Sequence, residues 1–294
     1  MMLRWQNLIL ACVLGLSWAA AQPAMAVEAF NRGLLFRVEA PGLPVSHIFG
    51  TIHSDDPRVT QLPAPVRQAY DRASALVMEV PLSEANTQRS MAAVLFGDGR
   101  QLSEVVDDEV YAEAVAASEE LGLGESAVRR CKPWGLVTLL SAPPARNGKF
   151  LDLVLYNQAL EKGKAVHGLE EVDEQLEVFE GLPEPDQVAL LRSTLAHRHR
   201  LAEMHEELLR TYLRRDLSRL ETLSTAYMSD TDPALVERFR HGAIVKRNRQ
   251  MVERLLPLLA VEPSFVAVGA LHLPGPNGIL FQLQQRGLQV TRVY

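Results

Sequence analysis

The sequence predicts an α/β (α+β) fold, a mixed central sheet flanked by helices with a large helical insertion or cap. Two observations carry this expectation, and a third feature points to a site. Short apolar runs alternate with helical patterns at both ends of the chain. The middle, about residues 103–257, is helical almost throughout. Two matching elements, Gly50-Thr51-Ile52-His53 and Gly269-Ala270-Leu271-His272, each close an apolar run with glycine and place a histidine three residues later.

The first strands are "GLLFRVE" (33–39) and "VSHIF" (45–49), joined through "APGLP" as a hairpin. A helix opens at Pro65, and "SALVMEV" (74–80) is a buried strand stopped by Pro81. "LSEANTQRSMAAVLF" has helical spacing. Two further helices are expected over "DDEVYAEAVAASEELG", acidic at its start and closed by glycine, and over residues 150–164. "SAPPARNGK" (141–149) is the best loop candidate. A short strand (164–170) and an acidic helix, "EVDEQLEVFE", come next. A single long helix is expected from Asp186 to Arg215, because Val188, Leu191, Leu195, Leu201, Met204, Leu208 and Tyr212 recur on one face. After one or two more helices, the chain returns to sheet at 264–269, a helix near "NGILFQLQQRG" and a last strand at 288–294.

Residues 1–26 read as a secretory signal peptide. Arg4 supplies the positive start, "LILACVLGLSWAA" the apolar segment, and Ala24-Met25-Ala26 the cleavage signal. Cys12 lies too early in that run for lipid attachment. The mature protein, residues 27–294, is expected as a single periplasmic or secreted domain with no further apolar stretch long enough to span a membrane. Losing Arg4 and no acid takes the net charge from −6 to −7, which argues against a nucleic-acid partner. The 47% hydrophobic content excludes disordered and fibrous classes. Cys131 is then the single cysteine. It has no disulfide partner and reads as a small buried hydrophobe.

His53 and His272 each follow the carboxyl end of an apolar strand, where ligands gather in open α/β sheets. If those strands are neighbours, two imidazoles converge, and with a carboxylate they form a divalent-metal site. Glu79, at the end of "ALVMEV", is the carboxylate candidate, since a charge at a half-buried strand end needs a partner. Glu170 ends another short strand, where it equally suits the first turn of the next helix. Arg247 and Asn248, in "KRNRQM", suit an oxyanion or carboxylate but also a solvated basic face. His197, His199 and His205 in "AHRHRLAEMHEE" look metal-rich, yet residues i and i+2 of a helix point to different sides. No G-x-S-x-G elbow, H-E-x-x-H, P-loop or dinucleotide fingerprint is present.

Five ordered pieces, "FGTIH", "ALVMEV", "HGLEEVDEQ", "KRNRQM" and "FVAVGALHLPGPNGILFQL", resemble the TraB/GumN family, which includes TIKI-like proteins. The resemblance implies a core related to erythromycin-esterase and ChaN-like proteins and, from TIKI-like members, divalent-metal-dependent proteolysis. It implies His53, His272 and Glu79 as metal or catalytic residues and Glu170, Arg247 and Asn248 as pocket residues. "LEEVDEQ" departs from the family's usual threonine after the glutamate.

The expected protein is an exported hydrolase of a peptide, an amide or a small molecule, with Mn, Co or Zn held by His53, His272 and Glu79. Glu170 would be the base and Arg247 or Asn248 the oxyanion donor. The competing expectations are a non-catalytic periplasmic accessory or binding protein, linked to polymer secretion or signalling, and a metal-free esterase with a histidine base.

Overall fold

The computed structural model describes residues 30–143, 145–228 and 230–294, so the expected signal peptide lies outside the described residues. The chain opens with β1 (Leu35–Glu39) and β2 (Ser46–Thr51), the predicted hairpin, with Leu35 opposite Phe49 and Val38 opposite Ser46. Helices α1 (Pro57–Thr60) and α2 (Ala64–Arg72) lead to β3 (Ala75–Met78) and α3 (Glu84–Ala93). Their starts are written locally. Asp56 accepts from the Arg58 N–H ahead of Pro57, and Ser83 accepts from the Asn86 N–H.

The helical block runs through α4 (Asp108–Glu119), α5 (Glu125–Val128), α6 (Pro133–Leu140) and α7 (Leu151–Glu161) to the short β4 (Ala165–Gly168). It continues with α8 (Val172–Glu180), α9 (Glu184–His197), α10 (Leu201–Leu213), α11 (Leu217–Ala226), α12 (Pro233–Arg240) and α13 (Arg247–Leu259). β5 (Ser264–Gly269), a 3₁₀ turn (Ala270–His272), α14 (Ile279–Gln285) and β6 (Gln289–Arg292) close the chain.

The six strands form one mixed sheet in the order β4-β3-β5-β2-β1-β6. β4, β3, β5 and β2 are mutually parallel, and β1 and β6 add an antiparallel edge. β3 and β5 are covered on both faces, as their unbroken apolar runs require, with Leu76, Val77, Phe265 and Val266 fully buried. The pairing that matters for the site is β2 with β5, which places Gly50 beside Val268 and Thr51 beside Gly269. The carboxyl ends that carry the two Gly-x-x-His elements are therefore neighbours.

The helical block is only partly a cap. Leu151, Leu155 and Ala159 of α7 and Met251, Val252, Leu255 and Leu259 of α13 belong to the sheet's own core. A separate cluster, including Leu102, Val110, Val128, Leu136, Leu191 and Leu195, holds α4, α5, α6 and α9 together. This division explains the one long helix the structure corrects. Residues 186–215 are two helices, α9 and α10, broken by a 3₁₀ turn at Arg198–Arg200. Leu191 and Leu195 pack in the cap, whereas Leu209 and Tyr212 pack on the sheet. One straight helix cannot face both, so the axis changes between them.

Candidate functional site

Two glycines let the edge close up. A Cβ on Gly50 would lie 2.8 Å from Leu273 Cδ1 and 3.1 Å from Ala270 Cα, so only glycine allows the end of β2 to meet the turn carrying His272. A Cβ on Gly269 would sit 3.3 Å from Glu79 Oε1. The two elements are offset by one residue across the β2–β5 pairing, because Gly50 faces Val268 and not Gly269. The histidines therefore part. His272 turns inward, its side chain 6% exposed, while His53 points outward at 74%.

His272 is held by Asn248. The Asn248 Nδ2 group donates to the carbonyls of His272 (3.2 Å) and Asn277 (2.8 Å), which makes its Oδ1 an acceptor. That Oδ1 lies 2.6 Å from His272 Nδ1, so Nδ1 carries the hydrogen and Nε2 carries a lone pair. His272 Nε2 then faces Glu79 Oε1 at 3.6 Å. Burial, followed by Arg247, lowers the His272 pKa to about 4 against the opposing pull of Glu79.

Glu79 extends past β3 and is tied at both oxygens. Oε1 accepts from the Gly269 N–H (2.7 Å), and Oε2 accepts from Arg247 Nη2 (2.6 Å) and Gln175 Nε2 (3.1 Å). Burial pushes its carboxyl up, but His272, Arg247 and the Gly269 N–H outweigh that and hold it at about 2. Arg247, at the start of α13, also forks onto Glu170, with Nε 2.8 Å from Oε1 and Nη2 2.6 Å from Oε2. The Glu170 side chain has no exposed surface. One buried guanidinium thus ties α13 to the ends of β3 and β4.

The second pair is His53 with Asp152, from the first turn of α7. His53 Nδ1 lies 3.4 Å from Asp152 Oδ2, and its ring stacks on Phe150 at 4.8 Å between centroids. Thr51 Oγ1 donates to Asp152 Oδ1 at 2.7 Å, while the buried Asp152 Oδ2 has no hydrogen-bond partner. Burial, aided by Glu79, raises the Asp152 pKa, and His53 and Thr51 oppose it. His53, Asp152 and Glu79 line a cavity of about 430 Å³. Met78, Val80 and Leu82 form an apolar wall, and Asn86, Thr87 and Ser90 of α3 a polar one.

The structure therefore brings His272, Glu79, Glu170, Arg247 and Asn248 into one network and places His53 at the cavity beside it. The three expected metal residues separate: His272 lies with Glu79, and His53 lies with Asp152. Among the described residues, no group of three or more His, Cys, Asp or Glu side chains is placed to hold one metal ion. Glu170, expected as a base, is enclosed by Arg247. Arg247 and Asn248, expected as oxyanion donors, orient Glu79 and His272 instead. Asp152 escaped the sequence reading; the signal was a lone acid in the apolar run "FLDLVLY". His197 and His205 take separate partners, Asp230 and the Ser141 carbonyl. Cys131 is buried, and burial raises its thiol pKa.

These shifts set a pH dependence. His272 binds its proton more weakly folded (about 4) than unfolded (6.5). The unfolded state therefore holds more protons between those values, and stability falls as pH drops through that window. The chelator-treated protein is expected to lose roughly 3 kcal/mol of unfolding free energy between pH 7 and pH 4 through this group. Urea titrations should give His272→Gln a flatter profile; equal slopes in both proteins would refute the assignment.

The protein matches the family model described as the TraB/PrgY/gumN family over residues 34–292. It is 26% identical over 251 residues to the "Uncharacterized protein YbaP" of Shigella flexneri, covering 82% of this chain and 89% of that protein. It is 25% identical over 251 residues to the protein of the same name from Escherichia coli (strain K12), with the same coverage. No solved structure gives a significant match. The two Gly-x-x-His elements, the Glu79 strand end and the Arg247-Asn248 pair all lie within the matched span, and the chain belongs to the TraB/PrgY/gumN family.

Proposed function

We propose that the protein is an exported hydrolase that cleaves a peptide or amide at the carboxyl edge of its parallel strands with the help of a divalent metal ion. One observation carries the reading. His272 Nε2 faces Glu79 Oε1 at 3.6 Å, and the Asn248 contact at Nδ1 leaves Nε2 an acceptor like the carboxylate oxygen. Two lone pairs so placed repel unless a cation or a water proton sits between them. His272 and Glu79 would hold the ion, with the remaining positions open to water and substrate at the adjoining cavity. Bound there, Mn, Co or Zn would polarise a carbonyl and make water more acidic.

The chain's own residues supply the rest. Asp152 and Phe150 fix the His53 ring, whose Nε2 is left to exchange protons at the cavity. As water attacks the carbonyl carbon, His53 takes its proton and returns it to the departing amine as the C–N bond breaks. Arg247 and Asn248 hold Glu79 and His272 in register. The apolar wall suits a hydrophobic side chain, and Asn86, Thr87 and Ser90 suit the amide groups of an extended chain. No helix of the described residues is long and apolar enough to cross a membrane. Export rests on the leader in residues 1–26.

The test is metal content and metal-dependent thermal shift of the mature protein beginning at Val27. Near-stoichiometric Mn, Co or Zn is expected, lost on His272→Gln. Absence of binding for all three metals would remove the metallohydrolase reading and favour the accessory protein.

A further inference from the structure

The opposite end of the sheet carries a second, unrelated arrangement. Ser264 begins β5, about 20 Å along the strand direction from the turn that bears His272. There a cavity of about 480 Å³ opens between α2 and the β1–β2 hairpin. Its polar lining includes Arg37, His47 and Arg72; Val45, Ala69 and Pro263 contribute apolar surface.

The charges in this cleft do not balance. Arg37 and His47 stand directly opposite each other in the antiparallel β1–β2 pairing, so both side chains emerge on the same face. Arg72, in the last turn of α2, comes down on that face. It makes no hydrogen bond or ion pair to any described residue. The His47 ring nitrogens likewise have no hydrogen-bond partner among them. Of the carboxylates on the surrounding elements, Glu39 accepts from Arg37 at 2.6 Å, Asp71 pairs with Lys162, and Glu262 turns to His167 at 3.7 Å; none pairs with Arg72 or His47. Glu39 thus offsets Arg37, while Arg72 and a protonatable His47 have no counter-charge.

We infer that this cleft binds a tetrahedral oxyanion, a phosphate monoester or its equivalent, through Arg37, Arg72 and His47. Two guanidinium forks match the paired oxygens of such a group. The volume exceeds what a bare phosphate fills, and the apolar surface gives an organic body somewhere to lie. His47 adds a pH response. Burial, Arg37 and Arg72 in that order lower its pKa. An anion between the three groups reverses the unfavourable charge, so binding takes up a proton and tightens as pH falls. This site is independent of the reaction proposed at the other edge.

The experiment follows the His47 ring protons by NMR in the mature protein, with sulfate as the probe because its charge is constant from pH 5 to 8. At matched ionic strength in chloride, sulfate is expected to raise the His47 pKa by about one unit, a tenfold linkage between anion and proton. Arg72→Gln, an exposed change outside the proposed catalytic network, should abolish that shift and leave any hydrolysis untouched. Phenyl phosphate should bind roughly tenfold more tightly than inorganic phosphate through its buried ring. An equal shift in chloride, or an undiminished one in Arg72→Gln, would overturn the site. Equal affinity for the two phosphates would overturn the organic-ester class.

Discussion

Replacing Arg247 by leucine is expected to lower the unfolding free energy by about 3–5 kcal/mol, because it strands the buried Glu170 and the mostly buried Glu79. Glu170 has no exposed side-chain surface, and Glu79 is one-fifth exposed; Arg247 reaches both at 2.6 Å. The penalty arises from the orphaned charges more than from the lost bonds. Leucine at both 247 and 170 should therefore recover a large part of the loss, since it removes the most deeply buried charge together with its partner. Urea denaturation reads this directly as a shift in midpoint at constant slope. A loss below about 1 kcal/mol for Arg247→Leu, in the range of an exposed ion pair, would mean that the network is solvated.

The second large effect is on turnover. His53→Ala is expected to reduce hydrolysis about 10²–10⁴-fold, the span of a positioned general base. Its side chain is 74% exposed, so folding should hardly change. Asp152 acts through His53 and is a positioning residue. Asp152→Asn keeps the shape and the Thr51 contact but replaces the Oδ2 that faces the ring with an amide nitrogen. It should lower kcat while leaving KM nearly unchanged. It should change stability little, because the Thr51 bond to Oδ1 is kept and Oδ2 meets only the exposed His53 ring, at 3.4 Å. A KM effect without a kcat effect would make Asp152 part of the binding wall and remove the proton-transfer role from His53.

Much of this was legible locally. Unbroken apolar runs mark β3 and β5 because both faces of those strands are covered. The acidic start of α4 marked a helix opening, and there Asp107 accepts from the Val110 N–H three residues on. Glu79 stood out as a charge ending an apolar strand. Asp152 stayed hidden because an acid in the first turn of a helix is ordinary. The break at Arg198–Arg200 stayed hidden because the apolar spacing continues through it; only the presence of two cores explains the change of axis.

By itself, then, the sequence determined the strands, the capped helices, the glycine-histidine spacing and the family pattern. Each depends on groups a few residues apart. Tertiary structure alone decided that β2 lies beside β5, with Ser46 Oγ accepting from the Ser264 N–H 218 residues away. It also decided the one-residue offset that sends His272 inward and His53 outward, and the meeting of Glu79, Glu170 and Arg247 from three separate elements. The physical reason is that backbone hydrogen bonds pair any two strands alike. The choice of neighbour and register is made by burying the greatest apolar surface while leaving few charges without a partner, and that sum is taken over the whole chain at once.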